Sequence, residues 1–287
     1  MNDGLESIFG FFSFWLGACI ASFLHVVIWR VPRGESIVSP PSHCPKCDAP
    51  IRWYQNIPIL SWLALRGKCA KCCAPISPRY ILVELLGGCL FLAAFLHYFF
   101  IGVSLVDLPT WIVVLVCWIW ISLMIVGSMI DYDLKLLPDF VTVGGMILGL
   151  VANGFFCFVY WPLIACKTGF LWKQFLLEQV LGLVLGFGLL WLIRWIGGKA
   201  FKREAMGMGD VLLMGAVGAL FGPVAVLVTL LLSSVFGSVV GLSTVALSKA
   251  RSGRFVEIPY GPYICMGCLA WMFFGPEIVS WYLGVLR

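Results

Sequence analysis

Two aspartates interrupt long apolar stretches of this chain and could do chemistry together. Asp131 lies in SMIDYDLKLLPD (128–139), at the end of one apolar run, and Asp210 lies in EAMGMGDVLLMGAVGA (204–219), at the start of another. Ionisable groups within or at the edge of apolar spans are costly to keep and default to functional candidates. Two carboxylates brought together can share one proton, so that one holds a water as base while the other donates to a carbonyl oxygen. Such a pair hydrolyses an amide without Ser, Cys or metal. Gly207 and Gly209 precede Asp210 and would let a substrate backbone approach. The first turn of a helix at Asp210 would favour the ionised carboxylate through its dipole. The competing reading of a lone interfacial Asp is a helix cap or a solvated loop acid, and spacing alone leaves both open for Asp131 and Asp210. Asp133 and Asp139 are read as such caps or loop acids, and Glu84 is the fifth acid at a span edge.

A second cluster is made of thiols. Cys44-Pro45-Lys46-Cys47 and Cys69-Ala70-Lys71-Cys72 are two CxxC pairs separated by 21 residues. Each pair offers two sulfurs from one tight turn, and two turns complete a tetrahedron, so the pattern predicts a four-thiolate zinc ribbon. About fifty residues scarcely build a core unaided, which makes a metal staple physically reasonable. The rivals are two disulfides, disfavoured in a reducing compartment, and free thiols. Cys73 is read as a bystander. Cys265 and Cys268 form a third CxxC inside an apolar run with no second pair nearby, and are read as helix packing, as are Cys19, Cys89, Cys117 and Cys157.

The elements that must hold these groups are membrane helices. Of 287 residues, 61% are hydrophobic and only 11% charged, with mean hydropathy +1.01; a soluble chain is nearer a quarter charged. Apolar runs long enough to cross the bilayer occupy about 8–29, 81–105, 110–130, 140–162 and 177–197. The stretch 209–247 is interrupted by Phe221-Gly222-Pro223 and reads as a short helix, a turn and a full helix from about 224; a last span covers about 260–284. The expectation is an all-α polytopic membrane protein of about eight transmembrane helices, with a small zinc-ribbon-like domain between the first and second. Its divisions are a first transmembrane helix over 1–29, a cysteine domain over 30–80, and a transmembrane core over 81–287.

Lys and Arg accumulate in cytoplasmic loops. With the amino terminus outside, the inside segments hold 16 of the 19 basic residues, leaving Lys167, Lys173 and Arg287 outside. Both termini are therefore expected outside and the cysteine domain in the cytoplasm. The net charge of +5 is then a topology signal that needs no nucleic-acid partner. Met1 to Gly10 carries Asp3 and Glu6 but no basic residue, unlike a cleaved signal peptide, so the first helix is expected to stay.

Taken in order, these stretches resemble a known family. GMGD at the start of an apolar span is similar to the GxGD motif of intramembrane aspartic proteases. SFLHVVIWRVP (22–32), the two cysteine knuckles, NIPILSWLALRGKC (56–69), PISPRYILVELLGG (75–88), IDYDLKLLPD (130–139), EAMGMGD (204–210) and IPYGPY (258–263) resemble the blocks of the bacterial type IV prepilin peptidases. The resemblance implies Asp131 and Asp210 as catalytic aspartates, with Asp131 preferred to Asp133 because it stands seven residues before Pro138. It also implies cleavage of prepilin or pseudopilin leaders after a Gly at the cytoplasmic face of the bacterial inner membrane. Methylation of the new amino terminus with S-adenosylmethionine is implied as a second activity, attributed to the cysteine-bearing domain. No glycine-rich Rossmann loop marks a methyl-donor site. Leu212 replaces a Lys, and His25 an Asn, found in many relatives; neither is a presumed catalytic group.

Two other classes compete. A proton-coupled transporter would show internal repeats and acids near the midplane, whereas these acids gather at one edge and no repeat is evident. A zinc-ribbon membrane scaffold leaves the paired aspartates and the Gly-Met-Gly lead-in unexplained.

Overall fold

A computed structural model describes residues 3–100, 108–168, 172–202, 206–247 and 259–285. The basic residues Arg203, Lys249, Arg251, Arg254 and Arg287, with Glu204, Ala205 and Ile258 of the quoted stretches, lie outside the described residues, as do the side chains of Cys166, Lys167 and Lys173. The described chain is helical: α1 (Asp3–Arg30), the short α2 (Leu60–Ala64), α3 (Arg79–Phe100), α4 (Leu108–Leu134), α5 (Asp139–Thr168), α6 (Trp172–Phe201), α7 (Met208–Leu247) and α8 (Gly261–Val285). All but α2 are long and apolar enough to cross a membrane, seven candidate spans among the described residues. The chain separates into two compact units, Met1–Val126 and Gly127–Arg287.

The difference between seven spans and eight expected runs has one cause. Within α7, Gly222 takes φ 82 and ψ −176, a break in the helix followed by Pro223. That backbone region is essentially open to glycine alone, and proline suits the first turn of the helix that resumes. The turn therefore falls at the Phe221-Gly222-Pro223 interruption and joins two helices that are counted here as one element, the short helix and the full helix that the sequence implies.

In the first unit, α1 packs on α3. Apolar burial does not drive helices together in lipid, so close backbone approach at small residues matters more. A Cβ placed on Gly17 would stand 2.5 Å from the Gly87 carbonyl oxygen. Trp118 of α4 stacks on Phe91 of α3, with centroids 5.2 Å apart and planes 9° from parallel, and its Nε1 donates to the Phe91 carbonyl at 3.0 Å.

In the second unit, α7 is the central element, lying against α5, α6 and α8. Its first half is mostly buried, with Val211, Leu213, Met214, Ala216, Val217 and Ala219 all at 0% exposure. Backbones meet there: a Cβ on Gly182 of α6 would stand 2.8 Å from the Gly222 Cα, and one on Gly149 of α5 would stand 2.8 Å from the Leu220 nitrogen. The break frees carbonyls inside this contact. Pro223 has no N–H for the Ala219 carbonyl four residues earlier. The Asn153 amide of α5 supplies the missing donor, with Nδ2 3.1 Å from both the Ala219 and Leu220 oxygens.

Candidate functional site

Asp131 occupies the last turn of α4 and Asp210 the first turn of α7. Both are buried, at 6% and 8% exposure. The N–H of Gly261, the first residue of α8, donates to Asp131 Oδ2 at 2.9 Å. The Gly207 N–H and the Asp131 charge both act on the Asp210 carboxyl. Asp210 Oδ1 is buried without a donor among the described residues. A buried carboxylate oxygen in that condition is costly, and it is the kind of acceptor that a water or a substrate group completes.

Three helix ends thus converge in the second unit: the end of α4 and the beginnings of α7 and α8. Leu137, in the turn after α4, wedges between them. A Cβ on Gly209 would stand 2.6 Å from Leu137 Cβ, and one on Gly261 would stand 3.3 Å from Leu137 Cδ1 and 2.7 Å from Asp131 Oδ2. The charges of Asp131 and Asp210 both reach Cys265, one turn into α8. Chemically, the arrangement is a pair of buried carboxyl groups lined by glycine backbone, suited to acid–base hydrolysis.

The remaining acids do not join the pair. Asp133 is exposed, and Asp139 is exposed at the start of α5. Glu84 is buried and accepts the Ile59 N–H at 2.7 Å, at a residue held at φ 62. It fastens the cysteine segment to α3, a structural duty. His25 lies against Tyr80, with centroids 4.5 Å apart and planes tilted by 36°. Cys265 and Cys268 are buried in α8, as expected of packing residues. The sequence reading did not single out Gly261, whose contribution is a backbone N–H; the glycine in IPYGPY was the available signal.

In the first unit, the sulfurs of Cys44, Cys47, Cys69 and Cys72 all lie within 4.8 Å of one another, and among the described residues they form the candidate metal cluster. The two knuckles repeat each other: HCPKCDAPI (43–51) and KCAKCCAPI (68–76). The Cys44 N–H donates to the Ala49 carbonyl and the Cys69 N–H to the Ala74 carbonyl, at 2.9 and 2.8 Å. Each knuckle closes with an antiparallel bridge, His43 to Pro50 and Lys68 to Pro75. Asp48 and Cys73 hold equivalent positions with φ 50 and 56, so Cys73 is a turn residue outside the cluster. Backbone N–H groups of Cys72 and Lys71 aimed at the Cys69 sulfur hold its thiol down to about 6. Zinc–sulfur bonds of about 2.3 Å at tetrahedral angles require sulfurs about 3.8 Å apart. Cys44 Sγ and Cys72 Sγ are 3.8 Å apart, so the residues fit the ion.

Comparison with known proteins gives the family of the chain. Residues 15–98 match the bacterial peptidase A24 N-terminal domain, and residues 118–242 match the type IV leader peptidase family. The chain is 38% identical over 250 residues to a prepilin leader peptidase/N-methyltransferase of Myxococcus xanthus, covering 87% of this chain and 67% of that protein. It is 35% identical over 295 residues to the prepilin leader peptidase/N-methyltransferase of Stutzerimonas stutzeri, covering 95% and 93%. It is 36% identical over 272 residues to a type 4 prepilin-like proteins leader peptide-processing enzyme of Escherichia coli O78:H11, covering 88% and 90%. No solved structure matches the chain. A multi-pass helical membrane protein with a four-cysteine cluster between its first two spans, the chain belongs to the type IV leader peptidase family.

Proposed function

We propose that the chain is a membrane-embedded aspartic endopeptidase that removes the leader of type IV prepilins or pseudopilins after a Gly, on the cytoplasmic side of the inner membrane. In the same proposal it methylates the new amino terminus with S-adenosylmethionine. The observation that carries the reading is the meeting of Asp131 and Asp210 at three helix ends, both buried, with Asp210 Oδ1 short of a donor.

In this mechanism one carboxylate takes a proton from a water as the oxygen attacks the scissile carbonyl carbon, and the other carboxyl donates its proton to the carbonyl oxygen. The tetrahedral species collapses as the C–N bond breaks, and the leaving amine takes up a proton from the pair. Gly207 and Gly209 leave room for the substrate backbone beside Asp210. The carboxyl pair sits at helix ends, so it meets a peptide bond at the membrane edge. A prepilin offers one there, its apolar helix in the bilayer and its basic leader inside.

Cys44, Cys47, Cys69 and Cys72 would hold one structural zinc, which joins the two knuckles of the 30–80 domain. That domain is assigned to the cytoplasm and the 81–287 region to the peptidase core, on the strength of the basic residues flanking the spans. The methyl donor is assigned to no residues. Neither the transporter nor the scaffold reading is favoured by the site.

The test is mass spectrometry of a prepilin co-expressed with this protein. The expected product lacks its leader and carries one added methyl on its new amino terminus. Uncleaved prepilin beside a correctly inserted enzyme would overturn the reading, and cleavage without the methyl would remove the second activity alone.

A further inference from the structure

The Gly261 N–H reaches Asp131 across 130 residues of sequence, so something must fix the beginning of α8. Of the described residues just before α8, Tyr260 has side-chain anchorage. Its hydroxyl lies 2.8 Å from Ser233 Oγ on α7 and 3.5 Å from Ser234 Oγ. The proton count gives the direction of the shorter bond. Ser233 donates its own proton to the Leu230 carbonyl at 3.0 Å, so its oxygen accepts from the Tyr260 O–H. The Tyr260 carbonyl in turn receives the N–H groups of Tyr263 and Ile264, at 3.0 and 3.2 Å, and so caps the first turn of the helix that presents Gly261. The ring lies near Gly237 of α7, where a Cβ would stand 3.7 Å from Tyr260 Cε2. Further along, α8 sits with its backbone on α7, where a Cβ on Gly267 would stand 2.8 Å from the Thr229 carbonyl oxygen.

We infer that Tyr260, through its hydroxyl bond to Ser233, is a positioning residue for the peptidase reaction, locking the start of α8 to α7 so that the Gly261 N–H orients the Asp131 carboxylate toward the substrate. The lock is anchored on the half of α7 that follows the Gly222 break, and Asp210 lies on the half that precedes it. The two halves of α7 therefore set the two carboxyl groups, the first holding Asp210 directly and the second holding Asp131 through Tyr260 and Gly261. Small misplacements of reacting groups cost orders of magnitude in rate, so a lock of this kind acts on turnover. It has no reason to act on substrate affinity, which comes from helix contacts in the bilayer.

The inference rests on the assignment of Asp131 and Asp210 as the catalytic pair. Its test is a mutant cycle on the reconstituted full-length enzyme with a prepilin substrate. Tyr260→Phe should lower kcat about tenfold and leave KM and the thermal midpoint unchanged. Ser233→Ala combined with Ser234→Ala, which removes the second hydroxyl as well, should lower kcat to the same degree. The triple variant should be no slower than either, because both changes cut one bond. Multiplying effects, a KM change without a kcat change, or full activity of Tyr260→Phe would each overturn the lock. Asp131→Asn is run alongside: if it is inactive while Tyr260→Phe is normal, the lock fails and the pair stands; if it is active, the pair itself fails.

Discussion

Replacing Asn153 by Leu separates the fold's largest internal irregularity from its chemistry. The Asn153 amide donates to the Ala219 and Leu220 carbonyls at the α7 break, each at 3.1 Å, and to the Gly149 carbonyl of its own helix at 2.9 Å. The Gly149 oxygen lies four residues before Asn153 and keeps its helical backbone donor, so the loss falls on the two α7 carbonyls. A buried group left without a partner costs about 1–3 kcal/mol in soluble proteins, while interhelical hydrogen bonds in membranes average about 0.6 kcal/mol and reach about 1.7. The two amide protons are shared among three carbonyls, so at the membrane scale the loss is about 1 kcal/mol, equivalent to about fivefold in the folding equilibrium. The assay is unfolding in detergent micelles, followed by titration with a denaturing detergent, and the midpoint should fall. Asp210 lies about 13 Å up the helix from Ala219, on a half of α7 gripped by α5 and α6. Leader cleavage by the molecules that remain folded should therefore stay within about twofold of native, below the cost of any mechanism that displaces a catalytic group. An unchanged midpoint would refute the role given to the amide, and a large loss of kcat in folded protein would show that the break and the carboxyl pair are coupled.

The other predictions concern the metal and the substrate. Purified protein should contain about one zinc per chain; Cys44→Ser with Cys47→Ser should abolish it and open the 30–80 segment to proteolysis, and a metal-free native protein with a protected segment would contradict the ribbon. On the substrate side, changing the Gly before the cut to Val should block cleavage, because a Cβ and two methyls would enter the space left beside Gly207 and Gly209. Val accepted at the native rate would refute that account. A prepilin truncated after its first few mature residues should be cut far less efficiently than one with its whole apolar helix, and equal efficiencies would show that membrane presentation does not select the substrate.

Much of this architecture was legible in the residues, for reasons that differ by element. Apolar runs announce membrane helices because the bilayer leaves the backbone few alternatives, and the Gly222-Pro223 pair announces its own break. The four cysteines could be read because metal ligation demands a residue type at a fixed spacing. Asp131 and Asp210 stood out because charge in an apolar run is conspicuous. Partners that act through backbone or through a lone polar side chain were not legible in this way. Gly261 contributes an N–H, which every residue but proline carries. Asn153 has no spacing signature, and its purpose appears only once the freed Ala219 carbonyl is found beside it. Glu84 had the same conspicuous charge as the aspartates, yet it serves the Ile59 N–H; conspicuousness marks a buried acid without saying what it faces. The repetition of HCPKCDAPI in KCAKCCAPI was present in the sequence, but its meaning lies in the paired hydrogen bonds of the two turns.

The account stands on Asp131 and Asp210 acting as one unit. The most direct measurement is leader cleavage by Asp131→Asn, Asp210→Asn and Asp133→Asn enzymes, each purified, reconstituted and shown to be inserted. Asn keeps the shape of the carboxyl and removes its acid–base chemistry, so the first two should each lose about 10³-fold or more of the cleavage rate, while Asp133→Asn, altering an exposed side chain, should retain activity. Cleavage at the native rate by either Asp131→Asn or Asp210→Asn would contradict the central claim.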